Sequence, residues 1–252
     1  MKKIIIANWK MNPGTLSEAE DLLNFIDETA GDFQGLLVIC PPFVYLEDIG
    51  RLLKTSRLSK YTELGAQDTA PAEAGAWTGE VSGRMLKRLG ARYVIVGHSE
   101  RRWKIGESDE VTNKKLKTTL ANELTAVVCL GEKIHDRSAK DFLKQQTATT
   151  FDGLSVDEIS KCLIAYEPFW AVSSNKNSAP DTPESALEAI NCIRDSLDSK
   201  FSASAAGFLY GGSVDSSNAS DFLSKQEISG VLVGGASLDR QEFVKILKIG
   251  SL

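Results

Sequence analysis

Several stretches of this 252-residue chain end an apolar run in side chains that can hold anions or move protons. Asn8 and Lys10 close the first such run, and Gly97-His98-Ser99-Glu100-Arg101-Arg102 follows another. Cys129-Leu130-Gly131-Glu132, Tyr166-Glu167-Pro168-Phe169-Trp170, Gly211-Gly212-Ser213 and Gly234-Gly235 follow three more runs and a final one. The two glycine pairs are the clearest physical clue. Glycine has no Cβ, so backbone N–H groups beside it can approach a phosphate closely. A tight turn explains one such pair. Two pairs closing successive apolar runs imply a phosphorylated small molecule.

These groups need elements to position them. Short apolar runs occur at Lys3 to Ile6, Leu36 to Ile39, Glu63 to Ala66, Arg92 to Val96, Thr125 to Val128, Cys162 to Ala165, Ala206 to Tyr210 and Gly230 to Val233. Near-continuous Val/Ile/Leu runs are what parallel strands buried on both faces require. Between them lie apolar stripes of helical period. Ser17 with Glu20 reads as a capping box before Leu22, Leu23, Phe25 and Ile26. Val81, Met85, Leu86 and Leu89 form another stripe, as do the neighbours of Phe142, the series Ala186, Leu187, Ile190 and Ile193 after Pro183-Glu184, and Phe243, Val244, Ile246 and Leu247. Eight strand–helix units in this length predict one α/β domain over residues 1–252, a (β/α)8 TIM barrel with its active site at the C-terminal strand ends. An open doubly wound sheet is the rival, but the first strand–helix turn, Ala7 to Gly14, lacks the GxGxxG fingerprint. In a barrel, the turns after strands seven and eight are the usual phosphate site.

The net charge of −5, with no long Lys/Arg run, argues against nucleic acid as a partner. Met1-Lys2-Lys3 precedes only four apolar residues, too few for a signal peptide, and no run approaches membrane-spanning length. A cytoplasmic protein without membrane contact is expected. Cys40, Cys129, Cys162 and Cys192 lie far apart with no CxxC spacing, which suggests reduced, mostly buried thiols and no zinc site. His135, within the polar run Glu132 to Arg137, reads as a solvated loop histidine.

Five segments together, Ala7-Asn8-Trp9-Lys10-Met11-Asn12, Val96 to Arg102, Ala165-Tyr166-Glu167-Pro168, Tyr210-Gly211-Gly212-Ser213 and Leu232 to Ser237, resemble the triosephosphate isomerase family in order and approximate spacing. The resemblance spans the whole chain. It implies cofactor-independent, metal-free interconversion of glyceraldehyde 3-phosphate and dihydroxyacetone phosphate through an enediolate. Such chemistry needs a base beside a carbonyl, and a carboxylate serves if burial lifts its pKa toward neutrality. By resemblance that base is Glu167, on a turn stiffened by Pro168. His98 would be the neutral electrophile that polarises the carbonyl, a role for which this family is itself the standard worked example. Lys10 would attract the dianion and stabilise developing oxyanion charge, and Asn8 would contact substrate. Ser213, Gly234, Gly235 and a backbone N–H at Ser173 would hold the phosphate. Glu100 is implied to pair with Lys10, Ser99 to neighbour the histidine, Cys129 to tune packing near the base, and Tyr210 to hydrogen-bond the closed lid near Ala179. The loop Gln67 to Gly79, carrying Trp77 and Thr78, is implied to bury its tip in a second subunit, giving a homodimer; left free it would expose apolar area that monomers usually hide.

The pattern breaks at the lid. Where the family usually continues Ala-Ile-Gly-Thr-Gly-Lys after the tryptophan, this chain has Ala171-Val172-Ser173-Ser174-Asn175-Lys176-Asn177, and Thr182-Pro183-Glu184 comes about three residues late. A longer lid without glycines is expected over Ser173 to Ala179. Asp68 stands where Asn is common in the family. Two alternatives accompany the triose reading. A paralogue acting on a tetrulose phosphate would keep Lys10, His98 and Glu167 and change the lid. A non-catalytic phosphometabolite-binding barrel would have lost a catalytic group, and none is lost.

Overall fold

In the computed structural model, which describes residues 2–31, 33–172, 175 and 179–251, each apolar run forms a strand. They are β1 (Ile4–Asn8), β2 (Leu36–Cys40), β3 (Thr62–Ala66), β4 (Tyr93–Val96), β5 (Thr125–Leu130), β6 (Leu163–Tyr166), β7 (Gly207–Tyr210) and β8 (Gly230–Val233). Neighbours in sequence pair in parallel, from Ile4 opposite Leu36 onward, and β1 also pairs with β8 through Ile4 opposite Gly230. The sheet therefore closes as a (β/α)8 TIM barrel, and no edge is left to pair with another chain.

Closure explains the continuous apolar runs. Side chains alternate across each strand. One set, including Ile6, Val38, Ile95, Val127, Leu163, Leu209 and Leu232, fills the barrel. The other, including Ile5, Ala7, Leu37, Ile39, Val94, Val96 and Ile164, packs outward with the buried faces of the helices. Both faces are dry, so both must be apolar.

The helices are α1 (Leu16–Thr29), α2 (Leu46–Thr55), α3 (Gly83–Leu89), α4 (Asp109–Ala121), α5 (Ala139–Thr150), α6 (Val156–Ser160), α7 (Pro183–Phe201), α8 (Ala219–Leu223) and α9 (Arg240–Ile249). The capping box of α1 is Thr15 with Glu18, not Ser17 with Glu20. Both pairs fit the S/T-x-x-E pattern, and the earlier one lets Leu16 and Ser17 join the helix. At α7 the cap is Thr182 with Pro183 in the first turn, where a missing N–H costs nothing. Met85, expected in a core stripe on α3, is instead 57% exposed.

Candidate active site

The C-terminal strand ends converge on a cavity of about 300 Å³ lined by Asn8, Lys10, His98, Glu167, the turn Gly211 to Asp215, and Gly234 and Gly235. Residues far apart in sequence meet here because each follows a strand of one closed sheet.

Lys10 enters from β1 with φ 54°, a left-handed conformation costly for a residue with a Cβ. Two side chains hold it there. The buried Asn8 accepts from Lys10 N–H at 3.0 Å, and Gln67 Nε2 donates to the Lys10 carbonyl at 2.7 Å and to the Cys40 carbonyl at 2.9 Å. Gln67 thus braces the loops after β1, β2 and β3 against one another. Reading the sequence placed it only at the start of a loop, although it stands directly after the third apolar run as the other site residues follow theirs.

β4 delivers His98 through Gly97, whose φ of 69° and lack of Cβ admit Arg102; a Cβ would lie 2.7 Å from Arg102 Nη2. Arg102 is buried and donates to the carbonyls of Gly97 at 2.6 Å and Cys129 at 3.2 Å, and it pairs with Asp109. The ends of β4 and β5 are locked together by this one guanidinium. Glu100 N–H donates to His98 Nδ1 at 3.2 Å. Nδ1 is then an acceptor, which assigns the ring proton of neutral His98 to Nε2. Nε2 lies 2.9 Å from Glu167 Oε1.

Glu167 follows β6 and is 2% exposed. Its Oε2 accepts from Ser99 N–H at 2.8 Å. Burial by itself raises its pKa, as expected from sequence, but pairing with His98, the Ser99 N–H and the Lys10 cation outweighs burial and holds the carboxyl below the usual range. The expected rise is absent because these partners all favour the charged form. Glu100 Oε1 meets Lys10 Nζ at 3.4 Å and Lys104 Nζ at 3.2 Å. Cys129 is buried, and burial with the adjacent Glu167 carboxylate pushes its thiol well up, which suits packing and not nucleophilic attack.

The glycines do more than expose N–H groups. A Cβ on Gly211 would lie 2.8 Å from Glu167 Cγ, and one on Gly234 would lie 3.0 Å from Lys10 Cε. Each pair clears space for a charged side chain. Gly235 has no such neighbour within 4 Å. Ser213 N–H donates to the Ala171 carbonyl at 3.0 Å, tying the β7 turn to the lid's first root. Ser173 lies outside the described residues, as do Ser174 and 176–178 of the lid. Ala179 N–H donates to the Trp170 carbonyl at 3.0 Å, closing the far root of the lid on the near one. The Trp170 indole donates to Glu132 Oε1 at 2.8 Å, which also accepts from Tyr166 at 2.8 Å. His135 is exposed, with its ring centroid 4.7 Å from that of Trp170.

Asp68 and Lys115, both buried, join Glu107 and Arg101 in a four-member network. Lys115 Nζ is 2.6 Å from both Asp68 Oδ2 and Glu107 Oε1, and Arg101 Nε is 2.8 Å from Asp68 Oδ2. Burial still prevails over Lys115 and Arg101, and the Asp68 carboxyl is pushed up to about 6.

The sequence profile of the triosephosphate isomerase family matches residues 3–250. The chain belongs to that family. Proteins named triosephosphate isomerase from Caldanaerobacter subterraneus subsp. tengcongensis, Alkaliphilus oremlandii and Thermoanaerobacter pseudethanolicus are 40%, 38% and 39% identical to it, each match covering 98% of both chains. Asn8, Lys10, His98 and Glu167 all line one cavity at the strand ends. No described helix is long and apolar enough to cross a membrane.

Proposed function

We propose that the chain interconverts glyceraldehyde 3-phosphate and dihydroxyacetone phosphate, with Glu167 as base and His98 as electrophile. The observation that carries this reading is the buried Glu167 carboxylate 2.9 Å from His98 Nε2, in a cavity that Lys10 shares. Substrate enters by displacing His98 and Ser99 from the two carboxylate oxygens. Freed, Glu167 takes the proton from the carbon beside the carbonyl while the His98 Nε2–H donates to the carbonyl oxygen. The C–H electron pair becomes the enediolate double bond, and Lys10 stabilises the charge that gathers on oxygen. The hydroxyl proton passes from one enediolate oxygen to the other, with His98 placed to relay it, and return of the carbon-bound proton to the neighbouring carbon completes the exchange with no net redox change. Asn8 fixes Lys10, the Gly234 and Gly235 turn and Ser213 receive the phosphate, and Ser173 contributes a lid N–H.

A homodimer fits the exposed apolar surface. Met11, Val44, Trp77 and Met85 are each more than half exposed, and they come from the consecutive loops after β1, β2 and β3 and from α3. A monomer would leave these side chains in water. A cytoplasmic setting accords with the acidic charge and free thiols.

The longer lid favours a second reading, a tetrulose phosphate as substrate. Assay of the purified protein with triose and tetrose phosphates decides between them. The triose reading expects the higher kcat/KM with glyceraldehyde 3-phosphate and little methylglyoxal, because a dry site keeps the enediolate from losing phosphate. A higher kcat/KM with the tetrose, or abundant methylglyoxal, would replace it.

A further inference from the structure

The β7 turn gives the cavity its wall from Gly211 to Asp215. It begins with two glycines, the residue type with the most backbone freedom to lose, so it needs support to keep one shape. Asn218 supplies that support from behind. Its Nδ2 donates to the Ser213 carbonyl at 3.0 Å, and its Oδ1 accepts from Asp215 N–H at 3.0 Å. A carbonyl only accepts and an N–H only donates, so the two ends of one planar amide are matched to the main chain on either side of Val214. Asn218 is also the residue before α8, where an asparagine ordinarily caps the helix with its own oxygen. It makes no such bond here. The amide that could serve the helix serves the turn instead. One residue further on, Ser216 N–H donates to Glu242 Oε1 at 2.6 Å. Glu242 stands in the first turn of α9, the helix that follows the Gly234-Gly235 turn. Within that second turn the buried Ser237 hydroxyl donates to the Gly234 carbonyl at 2.7 Å.

We infer that Asn218 is a positioning residue for phosphate binding, holding the main chain from Ser213 to Asp215 in one shape while Glu242 sets the spacing of that turn from the Gly234-Gly235 turn. This rests on the triose phosphate reading for its ligand. An anion gripped by main-chain N–H groups meets no side chain that can swing toward it, so its affinity depends on where the backbone is held before it arrives. Asn218 and Glu242 do that holding from outside the cavity, one from the start of α8 and the other from α9. The phosphate is held alike in the ground and transition states, so loosening the turn should raise KM more than it lowers kcat.

Asn218→Ser tests the brace. Serine starts a helix as well as asparagine does, but its hydroxyl ends one bond short of Nδ2 and withdraws the donor from the Ser213 carbonyl. Glu242→Leu, which releases Ser216 N–H from a different helix, carries the same test should Asn218→Ser not fold. Ser217→Ala is the control, since this exposed hydroxyl belongs to the same turn but donates outward to Asp215 Oδ1. The measurements are kcat and KM for glyceraldehyde 3-phosphate and the dissociation constant of inorganic phosphate by calorimetry, with a thermal melt of each protein. Loss of one hydrogen bond predicts that KM and the phosphate constant both rise about three- to tenfold in Asn218→Ser and in Glu242→Leu, with a smaller fall in kcat. Ser217→Ala should keep the wild-type constants. Wild-type constants in folded Asn218→Ser overturn the inference, as does a fall in kcat with KM unchanged, or a rise in Ser217→Ala equal to that in Asn218→Ser. The calorimetric arm does not depend on turnover. An inactive wild type that binds phosphate and loses affinity on Asn218→Ser would sink the isomerase reading and leave the brace standing; an active wild type whose constants Asn218→Ser does not move would do the reverse.

Discussion

Gly211→Ala tests whether Glu167, the proposed base, is held by the space around it. The added Cβ would lie 2.8 Å from Glu167 Cγ and 3.3 Å from the Tyr166 carbonyl. The carbonyl belongs to the β6 backbone and cannot yield, so the glutamate must. Ordinary contact begins at 3.4 Å, so Cγ has to retreat by about 0.6 Å. The carboxylate, one bond further out, swings by more, on the order of 1 Å. A misplacement of that size costs about 10²-fold in rate, or about 2.7 kcal/mol of transition-state stabilisation. Overpacking should also cost about 1–3 kcal/mol of stability, visible as a lowered Tm. The assay is kcat/KM with glyceraldehyde 3-phosphate on protein verified as folded by its melt. Glu167→Asp withdraws the same carboxylate by a methylene and should lose a comparable factor. Combining the two should cost less than the product of the single losses, because both displace one group. Wild-type kcat/KM in folded Gly211→Ala would refute the reasoning, as would single losses that multiply in the double variant.

Three further outcomes follow from the same geometry. Gln67→Leu strips the Lys10 and Cys40 carbonyls of a shared donor, so kcat/KM should fall at least tenfold and stability by about 1–3 kcal/mol; a variant with both unchanged means that Lys10 holds its left-handed backbone unaided. Partners of Glu167 depress its pKa in the free protein, so kcat/KM, corrected for the substrate phosphate, should keep its acid limb below the ordinary carboxylate value of about 4.3. Activity and the stability from this carboxylate are present above that value and lost as pH falls through the depressed one. Binding displaces His98 and Ser99, so the limb of kcat should lie higher; an acid limb of kcat/KM near neutrality contradicts this. Shortening the loop from Gln67 to Gly79 should give a weakly active monomer, since Trp77 and its exposed apolar neighbours need a partner; sedimentation that finds the intact protein already monomeric and active at micromolar concentration counts against the dimer.

Sequence alone determined the barrel, because a strand dry on both faces must be apolar at every position and this requirement is written directly in runs such as Ile4 to Ala7 and Val94 to Val96. It also located the polar groups of the site, since in a parallel barrel the residue after each run faces the same end. Even Gln67 and Glu132 stood in that place, though their partners could not be named. What only the tertiary structure decided is how the charges settle. Burial of Glu167 is legible from its strand, but the His98 ring and Ser99 N–H that reverse the effect of burial arrive from β4, 68 residues away for Ser99. The glycines likewise announced an approach by something. That Gly211 admits Glu167, Gly234 Lys10 and Gly212 the Tyr210 phenol depends on neighbours across the barrel. Local rules fix which face a residue occupies; the sign of a pKa shift and the occupant of a gap are set by distances between elements that meet only when the sheet closes.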